Sequence, residues 1–175
     1  MNLVSSINIL LGVLAVIAQV SIILLLCSWL FGISIPTKIR AHAITVAFTA
    51  ALVATLGSLT YSEIIGYEPC KLCWLQRIFM YPQVLVLGLA LWGKHKGSRA
   101  LLDTSLVMSA IGALIAAYHY LMQLGIVPEG SCAAVGYSVS CTARFVMQFG
   151  YITIPLMALS AFLLIVFSIV LKKRV

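Results

Sequence analysis

The sequence predicts an all-α integral membrane protein: a four-helix transmembrane bundle with one extra transmembrane helix at its N-terminal end. Composition is the first reason. Of 175 residues, 63% are hydrophobic and 9% are charged, too few polar groups to cover a water-soluble surface. Segmentation is the second. The apolar residues gather into five runs, each near the ~20 residues that a helix needs to cross a bilayer. They show no period-two alternation, which argues against a β-barrel.

The five runs cover residues 7–31, 43–62, 74–92, 100–122 and 152–171. The first lacks the marks of a cleaved signal peptide. No Lys or Arg precedes it, its apolar stretch is too long, and no small-x-small site follows. It is therefore expected to be a retained helix, with Cys27 as a buried apolar filler. The second run carries Ala47, Ala50, Ala54, Gly57 and Ser58, small residues that allow a neighbouring helix to approach closely. Pro82 is expected to kink the third run. The fourth ends in Tyr118-His119-Tyr120, where His119 suits a hydrogen-bonded place in the bundle and a redox-site role equally well. Tyr and Trp residues at the run ends read as interface belts. The organisation expected is an extra helix over 1–34 and a four-helix redox domain over 42–175, with an external loop at 125–150.

Charge sets the orientation. Lys38, Arg40, Lys94, Lys96, Arg99, Lys172, Lys173 and Arg174 are eight of the eleven basic residues, and all fall on one side of the predicted topology. By the positive-inside rule that side is cytoplasmic, which places the N-terminus outside and the C-terminus inside. The net charge of +7 then reflects topology, and nucleic-acid binding is not suggested.

On this map Cys70 and Cys73 lie outside, between the second and third runs. Cys132 and Cys141 also lie outside, between the fourth and fifth, so both pairs face the compartment where disulfides persist. Pro69 ends the preceding segment and leaves Cys70-Lys71-Leu72-Cys73 as the first turn of a helix. There the helix dipole and unpaired N–H groups favour thiolate. Arg77 follows Cys73 by one turn, on the same face and deeper in the membrane, where an arginine is a functional candidate. Four external thiols also suit a zinc site or two structural staples. The Cys-x-x-Cys spacing favours redox exchange over both.

In the long loop, Phe145, Val146 and Phe149 fall at helical spacing opposite Arg144 and Gln148, with Ser140 as a cap. A short amphipathic helix over 142–149 lying on the outer membrane surface is therefore expected. Residues 127–140 are rich in small and turn-forming types and are expected to be mobile enough to reach a partner.

Four stretches carry a family resemblance. They are Tyr61-Ser62-Glu63-Ile64, the run from Pro69 to Pro82, Tyr118-His119-Tyr120-Leu121, and the run from Phe149 to Pro155. Together they resemble the disulfide bond formation protein B family over about residues 42–171, closest to its Bacillus-type thiol-disulfide oxidoreductase C branch. The first helix has no counterpart in that four-helix family. The resemblance implies a bacterial cell-membrane enzyme that reoxidises an extracytoplasmic thioredoxin-like oxidant. Its electrons would enter at a Cys132–Cys141 disulfide, with Cys132 attacked by the partner and Cys141 held near the other pair. They would pass to Cys70–Cys73 and leave to a membrane quinone, ubiquinone or menaquinone. Arg77, which matches the family arginine, and His119 are the candidate quinone-binding residues, and no metal is implied.

The residues support that direction separately. No Gly-x-Gly-x-x-Gly element follows a strand, so nicotinamide has no evident site and the acceptor is expected from the lipid. Other readings are a vitamin K epoxide reductase-like thiol oxidase, or a membrane assembly or metal-handling protein with structural cysteines. The orientation is testable on intact cells: an impermeant thiol reagent should label a cysteine placed at Asn2 and miss one at Lys96. The reverse pattern would overturn the topology.

Overall fold

The structure, a computed structural model, describes residues 3–33, 35–92, 95–128 and 139–173. Each apolar run forms a helix, because a backbone in lipid must satisfy its own polar groups. The helices are α1 (Leu3–Leu30), α2 (Thr37–Ala41), α3 (Ala43–Leu59), α4 (Lys71–Leu91), α5 (Arg99–Gln123) and α6 (Ile154–Lys173). Five segments are long and apolar enough to cross a membrane, with α3 extended to Ile64 by a π-helical turn, Thr60–Ile64. The short α2 was not expected from the sequence; it follows Pro36, a residue that is favourable just ahead of a helix. Among the described residues there is no strand, and extended pairing is confined to a bridge between Gln148 and Ile152.

Helices α3, α4, α5 and α6 close into a ring, each touching the next, and α1 packs on the outside against α6. The inward face of α4 is the stripe Leu72, Gln76, Met80, Gln83, Leu87 and Ala90. These steps of three and four are the spacing of one helix face. Pro82 lies within α4, which continues through it. Opposite, α5 presents Leu102, Ser105, Ser109, Gly112, Ala116 and His119. Polar groups on these faces answer each other. Gln83 Oε1 accepts from Ser105 Oγ at 2.8 Å and Ser109 Oγ at 2.9 Å, and its Nε2 donates to Phe79 O at 3.0 Å. The outer faces carry exposed Leu, Ile and Val, as a lipid-facing surface should. Cys27 is half-buried on α1, less enclosed than the buried filler expected.

Small residues set how closely the helices approach. A Cβ on Gly112 would overlap the ring of Phe162, itself fully enclosed on α6. At Gly88 the nearest atom to such a Cβ is 3.5 Å away, ordinary contact. Gly112→Ala should therefore destabilise the solubilised protein by ~1–3 kcal/mol through overpacking, and Gly88→Ala should not. Thermal unfolding of the two variants beside the parent checks this; equal midpoints would contradict it.

Candidate redox site

Cys70 is the N-cap of α4. Its backbone is extended (φ −70°, ψ 172°), and its Sγ accepts the Cys73 backbone N–H at 3.4 Å. The sulfur thus occupies the place that a Ser or Asp oxygen usually takes at this position. Both thiols are free, and the two sulfurs lie 3.1 Å apart in a shared hydrogen bond. The surroundings decide where the proton sits. Cys70 Sγ receives the Cys73 N–H and lies 3.7 Å from His119 Nε2, so negative charge collects on Cys70 and the Cys73 thiol donates to it. The Cys70 thiol is accordingly lowered from 9.0 to about 4. The hydrogen bond from Cys73 is the main cause, and the hydrogen bond of His119 assists; burial works in the opposite direction.

His119 joins this pair to the second cysteine site. The ring is 2% exposed. Its Nε2 lies 3.0 Å from the Cys141 carbonyl oxygen, which only accepts, so Nε2 carries the hydrogen. Nδ1 is then the acceptor for the Gln76 amide, 3.0 Å away. This tautomer is assigned from its partners. Cys141 is 1% exposed, is disulfide-bonded, and shares an apolar cluster with Cys70, Leu72 and Met122. The expectation for Cys132, including its pairing with Cys141 and its reach towards a partner, lies outside the described residues.

Cys70, Cys73 and His119 place two sulfurs and a ring nitrogen within 4.8 Å of one another, a spacing that a metal ion can use. Both His119 nitrogens are already committed to Gln76 and Cys141, so ligation would break a buried hydrogen bond. The arrangement favours thiol chemistry.

Arg77 does not hydrogen-bond either sulfur. Its Nε donates to Ser58 Oγ at 3.0 Å and its Nη2 to Ser58 O at 3.2 Å, leaving Nη1 without a hydrogen bond among the described residues. Tyr81 OH also donates to Ser58 Oγ, at 3.1 Å. The guanidinium lies 5.2 Å from the Trp74 ring centroid and 6.0 Å from that of Tyr81, near enough for cation–π attraction. Ser58, expected only to allow close packing, is the group that aims this arginine. Gln76 and Ser58 were both missed as site residues, although a Gln and a Ser in apolar runs beside a Cys-x-x-Cys were visible signals.

Residues 142–149 do not form the amphipathic helix expected from their spacing. Side chains hold the segment in turns. Gln123 Nε2 donates to Ala143 O at 3.0 Å, and Arg144 Nη2 donates back to Gln123 O. Phe145 stacks on Tyr67, which stacks on Tyr61, and Val146 is buried. Ser140 does cap Thr142, whose N–H it accepts at 3.2 Å, but left-handed φ angles at Phe149 (52°) and Gly150 (80°) turn the chain into α6.

Below the cysteines lies a cavity of about 470 Å³, walled by α1, α3, α4 and α6. Cys70, Cys73, Arg77, Tyr81, His119 and Cys141 border it, and the remaining lining is mostly apolar.

A multi-pass helical protein with a thiolate-bearing Cys-x-x-Cys beside a disulfide-bonded cysteine is built as a membrane disulfide oxidoreductase. The comparisons agree. The profile described as "Disulfide bond formation protein DsbB" matches residues 40–172, and the chain belongs to that family. Among its relatives, the probable disulfide formation protein C of Bacillus cereus is 43% identical over 139 residues, covering 78% of this chain and 97% of its own. The disulfide bond formation protein C of Bacillus subtilis is 42% identical over 141 residues, covering 78% and 96%. The probable disulfide formation protein of Oceanobacillus iheyensis is 46% identical over 130 residues, covering 74% and 87%. No solved structure matches the chain.

The acidity of Cys70 gives a direct test. In the reduced protein, thiolate absorbance near 240 nm should persist from pH 8 downward and vanish only as pH falls through about 4. It should be missing in Cys70→Ser. A titration centred near the ordinary thiol value would contradict the assignment.

Proposed function

We propose that this protein reoxidises an extracytoplasmic thioredoxin-like dithiol and passes the two electrons, through two cysteine pairs, to a membrane quinone. The observation that carries this is the cavity: a mostly apolar space between the helices that meets Cys73 and a cation, Arg77, at its end. A fit for a quinone is supported by polar atoms there that lack partners among the described residues. Arg77 Nη1 is one; the Tyr61 hydroxyl and Gln123 Oε1, both buried in lining residues, are others. Unpaired buried donors and acceptors are costly, and carbonyl or quinol oxygens would satisfy them.

When bound, a quinone would supply the sink for the two electrons released as the Cys70 thiolate and the Cys73 thiol close their disulfide, taking one proton from Cys73 and the other from solvent. The chain's own residues do the rest. The partner's dithiol becomes a disulfide as it reduces the Cys132–Cys141 pair. The reduced Cys132–Cys141 pair then re-forms its disulfide by reducing the Cys70–Cys73 disulfide, and Cys70 is the sulfur that leaves as the thiolate its neighbourhood stabilises. His119 holds the Cys141 backbone beside Cys70, and Gln76 fixes the ring that does so. Arg77, braced by Ser58, presents positive charge and hydrogen-bond donors at the oxygen end of the cavity. Both cysteine sites lie at one end of the bundle, which in the proposed orientation is the extracytoplasmic end.

The test is steady-state quinone reduction by purified protein, with a reduced thioredoxin-like oxidant as donor. Arg77→Ala should raise the apparent KM for quinone tenfold or more, in line with ~1.5–3 kcal/mol for a hydrogen bond to a charged group. Thiol exchange with the donor should be unchanged. An Arg77→Ala protein that turns over quinone like the parent would refute this role.

A further inference from the structure

Helix α1 lies outside the stretch matched to the family. A relative covered to 97% of its length by 139 residues has no room for a further helix of 28. Yet α1 is docked with care. Gln19, a polar residue inside an otherwise apolar helix, donates from Nε2 to Ser160 Oγ at 3.1 Å and accepts at Oε1 from Tyr151 OH at 3.0 Å. Both halves of its amide are thereby satisfied, which fixes the register of α1 against α6 in a medium with no water to substitute. Gly12 sits against Gln148 and Phe149, where a Cβ would come within 3.3 Å of each.

Held there, α1 forms one wall of the cavity. Ala15, Ala18 and Ser21, spaced three apart on one face, border it. The cavity is long as well as apolar. Val46 and Tyr61, at opposite ends of the α3 segment, both line it, and fifteen residues at 1.5 Å rise span about 22 Å. Its charged lining residues, Glu68 and Arg77, stand at the cysteine end, while Ser21, Thr49 and Ser160 further along give their hydroxyls to carbonyls of their own helices. Tyr61, 5% exposed with a hydroxyl that has no partner among the described residues, stands at the cysteine end with Arg77, while the deep part meets Val46, Leu164 and Ala18. A space with a polar head end and a narrow apolar shaft fits a molecule of the same form.

We propose that α1 is part of the acceptor site: it closes the cavity's lipid side and, through the small side chain of Ala18, admits the prenyl-type tail of the acceptor. This rests on the quinone reading above and adds that tail recognition belongs to the helix that the relatives lack. Without α1, the groove between α3 and α6 would open to the bilayer. With it, a tail is enclosed and its girth is limited by one wall.

The experiment compares two quinones, one with a multi-prenyl tail and one with none, on the full-length protein in lipid nanodiscs. The variants are Ala18→Phe, the milder Ala18→Leu, and Val13→Trp on the exposed face of α1 as control. Ala18→Phe should raise the KM for the tailed quinone at least tenfold, and Ala18→Leu about threefold. Neither should change the KM for the tail-less quinone or the 240 nm thiolate absorbance, which reports an intact cysteine site. Val13→Trp should behave as the parent. A tailed-quinone KM unchanged in both Ala18 variants overturns the proposal, as does an equal rise for both quinones. A parent that reduces neither quinone overturns it too, by removing the reading on which it rests.

Discussion

A bilayer offers almost no hydrogen-bond partner, so a polar side chain placed between these helices must be met by another. That constraint organises the molecule. Gln83 is met by Ser105 and Ser109 in the middle of the bundle, and Gln19 by Ser160 and Tyr151 at the seam with α1. Arg77 is met by Ser58, and His119 by Gln76 and Cys141. Each set joins two or more elements, so the same bonds that make polar groups tolerable also fix helix register. Among the described residues six buried side-chain atoms find no partner, in Asn8, Arg40, Thr55, Tyr61, Gln123 and Thr153, and two of these residues, Tyr61 and Gln123, line the cavity.

The cysteine pair is made unequal by the same logic. Two identical thiols stand one helical turn apart, yet the N-cap position gives Cys70 alone the backbone N–H, and the fold gives it alone His119. Cys73 is left as the donor. The inequality needs no charged residue in contact with either sulfur, which explains why Arg77 is free to turn towards Ser58 and the cavity.

Much of this was legible in the sequence. The five spans lie close to their expected limits because lipid solvation acts on composition alone, and composition is what a sequence displays directly. The start of α4 at the Cys-x-x-Cys was legible because Pro69 is a local signal. What failed were readings that depend on tertiary partners. Residues 142–149 have helical spacing, but Gln123 and Tyr67 outcompete the helix for Ala143, Arg144 and Phe145. Ser58 was placed with the small packing residues because its acceptor role exists only once Arg77 lies beside it, nineteen residues away. The π-helical turn that brings Tyr61 to the cavity leaves no mark in hydropathy at all.

The lowered pKa of Cys70 also bears on the direction of electron flow. Hydrogen bonds that favour its thiolate stabilise the reduced pair and leave the Cys70–Cys73 disulfide untouched, so they make that disulfide the stronger oxidant. The sign follows from the shift. A thiol held at about 4 against 9.0 contributes fully above the higher value, and its contribution is lost as pH falls through the lower. At neutral pH most of the effect is present. A thiolate of this kind is a poor attacking group and a good leaving group. In the proposed relay, that is the property wanted of the sulfur that Cys141 must displace: electrons enter the pair readily and do not return to the loop. Their onward path then depends on Cys73, which borders the cavity beside Arg77.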